Sequence, residues 1–104
     1  MTPMWTLEQA QELVQLIEGI VEQARYHVAI AGSVATKGRS IKDLDLILYP
    51  HTTEQTQDSM SILGHLSKIG LSDFAILDRV AYNRPVYIAY FGPENKRIDI
   101  FFLE

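Results

Sequence analysis

Asp43 and Asp45 open the run Asp43-Leu44-Asp45-Leu46-Ile47-Leu48-Tyr49, which alternates at first, becomes continuously apolar and is stopped by Pro50. That is the pattern of a central strand. Side chains two apart in a strand share a face, so both acids point with Ile47 and Tyr49, roughly 6.5 to 7 Å apart by strand rise. Leu44, Leu46 and Leu48 take the other face. At an effective dielectric near 20, two carboxylates at that spacing repel by roughly 2 to 3 kcal/mol, so a counter-charge is expected. The stretch Arg97-Ile98-Asp99-Ile100-Phe101-Phe102-Leu103 poses the same question. Asp99 points with Phe101 and Leu103, a lone acid on a row expected to face the core. If the two strands are neighbours, three carboxylates converge. A divalent cation is then the simplest counter-charge, and oxygen-only ligands favour magnesium or manganese over zinc. Two plainer readings stay open: solvated acids at a strand end for Asp43 and Asp45, and an ion pair with Arg97 for Asp99.

Upstream, Ala31-Gly32-Ser33 closes a short apolar run, and nine residues separate Ser33 from Asp43. A Gly-Ser turn leading into a helix presents backbone N–H groups and a hydroxyl, the groups that bind a polyphosphate. Lys37, Arg39 and Lys42 concentrate positive charge in the same loop. The combination sets triphosphate ligands beside metal-binding acids.

In Gly32, Ser33, Asp43, Asp45 and Asp99 the chain resembles the nucleotidyltransferase superfamily typified by DNA polymerase beta. Its signature is Gly-Ser or Gly-Gly, a gap of about ten residues, Asp-x-Asp or Asp-x-Glu, and a third acid on a later strand. The stretch from Gly38 to Leu46 is also similar to the tRNA CCA-adding and poly(A) polymerase branch. The resemblance spans residues 27 to 103 and implies one nucleotidyltransferase domain over 1–104. It implies that Asp43, Asp45 and Asp99 are catalytic and hold two magnesium or manganese ions. It implies that Gly32 and Ser33 grip the phosphates of a nucleoside triphosphate such as ATP; Lys37, Arg39 and Lys42 are candidate phosphate ligands by their charge, with solvated loop cations as the plainer reading. The reaction implied is transfer of a nucleoside monophosphate to a hydroxyl acceptor with release of pyrophosphate. Where minimal members often read Gly-Ser-x-Ala-Arg-Gly, this chain has Gly32-Ser33-Val34-Ala35-Thr36-Lys37-Gly38, without the arginine. Most active members also continue into helices beyond the point where Leu103 and Glu104 end this sequence. The expectation is that a protein partner or a second protomer completes the site; the alternative is a catalytically inactive module of the same fold that works through a partner chain.

The elements that must position these residues are legible from periodicity. Leu7, Ala10, Leu13, Val14, Ile17, Ile20, Val21 and Ala24 recur at helical spacing, predicting an amphipathic helix over 7–24. Thr6 and Gln9 form a capping-box pair, and Arg25 suits the helix's negative end. His27 to Ala31 reads as a buried strand, and residues 33–42 as a loop or short helix. A second helix is expected over 53–69, with Met60, Leu63, Leu66 and Ile69 on one face and Gly70 as its terminator. Strands follow at 74–77, 86–91 and 98–103, the last two as a hairpin across Gly92-Pro93-Glu94-Asn95. This order predicts an α/β (α+β) nucleotidyltransferase fold, one mixed sheet with its helices mainly on one face. A ferredoxin-like arrangement is the rival and would hold the acids apart.

Composition bounds the rest. The chain has 104 residues, 47% hydrophobic and 21% charged, which is the profile of one ordinary globular core. Thirteen acidic against nine basic residues give a net charge of -4, so extended nucleic-acid binding is disfavoured. Without cysteine there is no disulfide framework or thiolate metal site. No apolar run approaches the roughly 20 residues of a membrane span, and the start lacks the features of a secretory signal, so the expected address is cytoplasmic. His27, His51 and His65 lack metal-like spacing and receive no role. Gly38 is followed by Arg39, which breaks a Walker register, and Gly32 lacks the companions of a Rossmann fingerprint. Aromatic residues such as Tyr87 and Tyr90 read as packing, and Asp73 and Asp78 as turn acids.

Overall fold

The computed structural model describes residues 4–51, 59–81 and 84–103. In chain order the elements are β1 (Trp5–Thr6), α1 (Leu7–Val21), a 3-10 turn (Glu22–Ala24), β2 (Tyr26–Ala31), α2 (Gly32–Lys37), β3 (Arg39–Ser40) and β4 (Asp43–Pro50). They continue with α3 (Ser59–Leu66), a second 3-10 turn (Ser67–Ile69), β5 (Leu71–Ala81), β6 (Arg84–Phe91) and β7 (Lys96–Phe102). Five strands form one sheet in the order β2-β4-β7-β6-β5, and β1 pairs with β3 in a small separate ribbon. Within the sheet β4 and β7 run parallel, whereas β2–β4, β7–β6 and β6–β5 are antiparallel. The predicted mixed sheet is therefore present, and the β6–β7 hairpin turns at Gly92–Asn95 as expected.

Alternation explains which face is buried. Leu44, Leu46 and Leu48 of β4, and Ile98, Ile100 and Phe102 of β7, are each at most 1% exposed. They form one row with Val28 of β2 and with Tyr87 and Ala89 of β6. Onto that row α1 lays Ala10, Leu13, Ile17 and Val21, and α3 lays Ile62, Leu63 and Leu66. At about 2 kcal/mol for each large side chain, this shared burial holds the helices to one face of the sheet. The other face of β4 and β7 carries the acids.

Local signals behave as their chemistry requires. Thr6 and Gln9 form the reciprocal capping box, with Thr6 Oγ1 accepting from Gln9 N at 3.2 Å and Gln9 Oε1 accepting from Thr6 N at 3.1 Å. Gly70 ends the second helical segment with φ of 105°. Several expectations need correction. Arg25 lies outside the last turn of α1, in left-handed backbone after the 3-10 turn, because the helix tightens at Glu22. Met60 is 66% exposed and Ile62 is buried in its stead, since α3 meets α1 through the 62/63/66 face. The part of the predicted second helix over 53–58 lies outside the described residues. β5 starts at Leu71, directly after Gly70, so Asp73 sits within a strand with φ of 55°, beside a break in the β5–β6 register between Ser72 and Ala75, and not in a turn.

The edge strand β2 is tied to α1 by one carboxylate. Glu18 accepts from His27 Nδ1 at 2.7 Å and from Val28 N at 3.0 Å. His27 also stacks on His51, with ring centroids 3.9 Å apart. We predict that Glu18→Ala costs about 1 kcal/mol, the modest value of partly exposed bonds, and that Glu18→Gln costs less because an acceptor for Val28 N remains. Urea denaturation of the three chains measures this.

Candidate active site

The site is built by strand register. In the parallel pair β4–β7, Asp43 stands opposite Arg97 and Asp45 opposite Asp99. Neighbours in register project to the same face, and since the even-numbered residues fill the core, all four point to the open face. One carboxylate oxygen from each of Asp43, Asp45 and Asp99 lies within 4.8 Å of the others. Asp43 and Asp45 are half-buried, and Asp99 is 3% exposed. The row through 99 and 101 is thus not the core-facing one expected from sequence; Ile98, Ile100 and Phe102 are. The expectation failed because both rows of β7 are rich in apolar residues, so parity could not be read from hydrophobicity.

Arg97 reaches along its own strand to Asp99. Nε donates to Oδ1 at 2.8 Å and Nη2 donates to Oδ2 at 3.4 Å. This hydrogen-bonded pairing, with smaller contributions from the charges of Asp99, Asp43 and Tyr90, raises the guanidinium pKa above its ordinary value, against the opposing effect of burial. Arg97 therefore stays cationic at any working pH. Its backbone is fixed from the other layer, where the buried Trp5 indole donates to Arg97 O at 2.9 Å.

Gly32 follows Ala31, the β2 residue paired with Asp45. Its φ is 67°, and a Cβ built there would overlap Asp45 Oδ2 and lie 3.0 Å from Asp45 Cγ. Glycine is required twice over, by backbone conformation and by the approach of the carboxylate. Ser33 is exposed at the start of α2, which ends at Gly38 with φ of 78°. Ser40, 8% exposed, accepts from Lys42 N at 3.3 Å and from Asp43 N at 3.2 Å. It anchors the chain just ahead of the first acid. Sequence reasoning missed it, although a serine three residues before Asp43 is the spacing of such a hydroxyl turn.

Around the acids the surface is concave. A cleft of about 640 Å³ is lined by Lys42, Asp43, Asp45, Leu77, Arg97, Asp99 and Phe101. A second, of about 370 Å³, shares Lys42 and Asp43 and adds Ser33, Lys37, Arg39, Ser40 and Ile41. A third, of about 210 Å³, joins Gly32 and Asp45 to Ile47 and Phe101. All eight residues singled out from the sequence thus line one contiguous surface. His27, His51 and His65 are not part of it. Oxygens bound to one magnesium lie up to about 4.2 Å apart, so the three carboxylates are one small side-chain adjustment from that geometry. The donor set fits a hard divalent ion.

Gly32→Ala is predicted to cost about 2 to 4 kcal/mol, from forcing a side chain into left-handed backbone and from overpacking Asp45. Thermal denaturation reads the loss. A variant as stable as the original chain would show that Gly32 and Asp45 do not meet as described.

No family model and no curated protein matches the sequence. Solved structures do. The RNA terminal uridylyl transferase Cid1 is 16% identical with a TM-score of 0.67, over 92% of this chain and 31% of that one. The non-canonical poly(A) polymerase GLD-2, in complex with GLD-3, is 16% identical with a TM-score of 0.63, over 92% of this chain and 34% of that one. The polymerase core of TRAMP, an RNA surveillance complex, is 18% identical with a TM-score of 0.63, over 89% and 30%. This chain thus spans about a third of the length of each. With the antiparallel β2–β4 pair, the parallel β4–β7 pair and the helices on the opposite face, the chain has the nucleotidyltransferase fold.

Proposed function

We propose that residues 1–104 form one nucleotidyltransferase domain that binds a nucleoside triphosphate with magnesium or manganese and transfers the nucleoside monophosphate to a hydroxyl acceptor. The observation that carries this reading is the facing pair Asp45–Asp99, with Asp43 in the same cluster and Gly32 against Asp45. The neighbouring structures include Cid1 with magnesium and bound nucleotides, which supports a metal-nucleotide ligand for the same fold here.

Asp43 and Asp45 would hold two divalent ions, and Asp99 would join them at the one nearest the acceptor. When bound, such ions neutralise the triphosphate and stabilise the charge on entering and leaving oxygens. The chain's own residues do the positioning. Gly32 N–H and the Ser33 hydroxyl hold the outer phosphates, and Lys37, Arg39 and Lys42 add positive charge from the neighbouring cleft. The acceptor oxygen lies on the Asp99 side, in line with the departing pyrophosphate. Its bond to the α-phosphorus forms as the α–β bridging P–O bond breaks, and the hydroxyl proton leaves toward the Asp99 carboxylate. Leu77 and Phe101 give the cleft an apolar wall. No described helix is long and apolar enough to cross a membrane. The cytoplasm is the proposed setting.

A protein partner or a second copy is proposed to complete the acceptor side. GLD-2 was solved in complexes with GLD-3 and with RNP-8. One observation favours a second reading, a catalytically inactive module acting through its partner: Arg97 bonds both oxygens of Asp99. Transfer of labelled nucleotide, with and without candidate partners, separates the two.

Asp43→Ala and Asp45→Ala are each predicted to lower magnesium-ATP affinity by more than the roughly 10- to 100-fold that loss of a residue merely supporting a metal ligand costs. Isothermal titration calorimetry measures it. Unchanged affinity in both variants would refute the proposed site.

A further inference from the structure

The proposed reaction needs the oxygens of Asp99, and those oxygens are taken. Arg97 Nε and Nη2 lie on Oδ1 and Oδ2 at 2.8 and 3.4 Å. The Asp99 side chain is 5% exposed and that of Arg97 is 38% exposed, so the guanidinium lies on the solvent side of the pair. Arg97 also stands opposite Asp43 across the β4–β7 pair and opposite Tyr90 across the β6–β7 pair. It is therefore set within the acid cluster and flanked on both sides.

We propose that Arg97 is a positioning residue that competes with divalent metal for Asp99: in the metal-free chain its single positive charge offsets part of the negative charge of the three acids, and a bound ion must share or displace it. This rests on the metal-site reading above and adds a direction to it. Most residues beside a metal ligand raise affinity by orienting the ligand. Arg97 lowers it, because its charge is fixed and has the same sign as the ion. A divalent and a monovalent cation about 6 Å apart repel by roughly a factor of ten in binding constant even where screening is as strong as in water. A less screened cleft makes the factor larger. The cost of removing Arg97 falls on the apo chain, where three carboxylates then share one surface without it. The same substitution should thus weaken the free fold and tighten the metal.

The test is manganese binding to the whole chain, followed by electron paramagnetic resonance of free Mn²⁺, with thermal denaturation in parallel. Arg97→Gln and Arg97→Met are expected to bind Mn²⁺ about tenfold tighter than the original chain. Both should show a lower apo melting temperature and a larger Mn²⁺-induced rise in it. Arg97→Lys, which keeps the charge, is expected to stay near the original affinity. If both neutral variants bind Mn²⁺ equally well or more weakly while Asp45→Asn abolishes binding, the competition is overturned and Arg97 merely orients Asp99. If Asp45→Asn leaves binding unchanged, or no chain binds, the metal-site reading has failed and this inference falls with it.

Discussion

The parallel pairing of β4 with β7 is the constraint on which the rest depends. Its register sets Leu44, Leu46 and Leu48 beside Ile98, Ile100 and Phe102 on one face, and thereby sets Asp45 beside Asp99 on the other. Facing positions on adjacent strands are about 4.8 Å apart, where two carboxylates at an effective dielectric near 20 repel by about 3 kcal/mol. Six core side chains at about 2 kcal/mol each outweigh that repulsion. A slip of one residue would exchange the faces and forfeit the core. The core thus enforces the clustering of the acids.

That clustering is relieved by particular groups. Arg97 supplies a full positive charge within the cluster, and its backbone is held by the buried Trp5 indole of β1. Gly32 gives Asp45 room by having no side chain. Ser40 anchors the amides of Lys42 and Asp43, so β4 begins at a defined place. The small β1–β3 ribbon and the bond from Leu7 N to Gly38 O at 2.8 Å tie the N-terminus of α1 to the end of α2. Of these contacts the Trp5 bond joins the core to the strand that carries Asp99, and the others fix the acids' own surroundings.

Much of this was legible in the residues. The helical period of α1, its capping box, the alternation of β4 and the terminal hairpin all come from local rules that distant contacts did not override. The Gly32-Ser33 pair, the spacing to Asp43-x-Asp45 and the later Asp99 pointed to one surface. Less legible was β7, where apolar residues occupy both parities and the inward row was misassigned. Met60 is the other exception, because the apolar residues 60, 62, 63, 66 and 69 span a wide arc of the helix and their spacing alone does not declare which part of it meets α1.

What the sequence by itself determined is the inventory: strong strands, two amphipathic segments, three acids at strand positions and a glycine before a serine. Those follow from interactions within a few residues, which the order of side chains specifies directly. Only the tertiary structure decided that β4 and β7 are neighbours, that they run parallel, and that Asp99 meets both Asp45 and Arg97. The two strands are separated by an intervening helix and two other strands, and such pairing is chosen by the burial of a whole face, a sum over the chain that no local pattern contains.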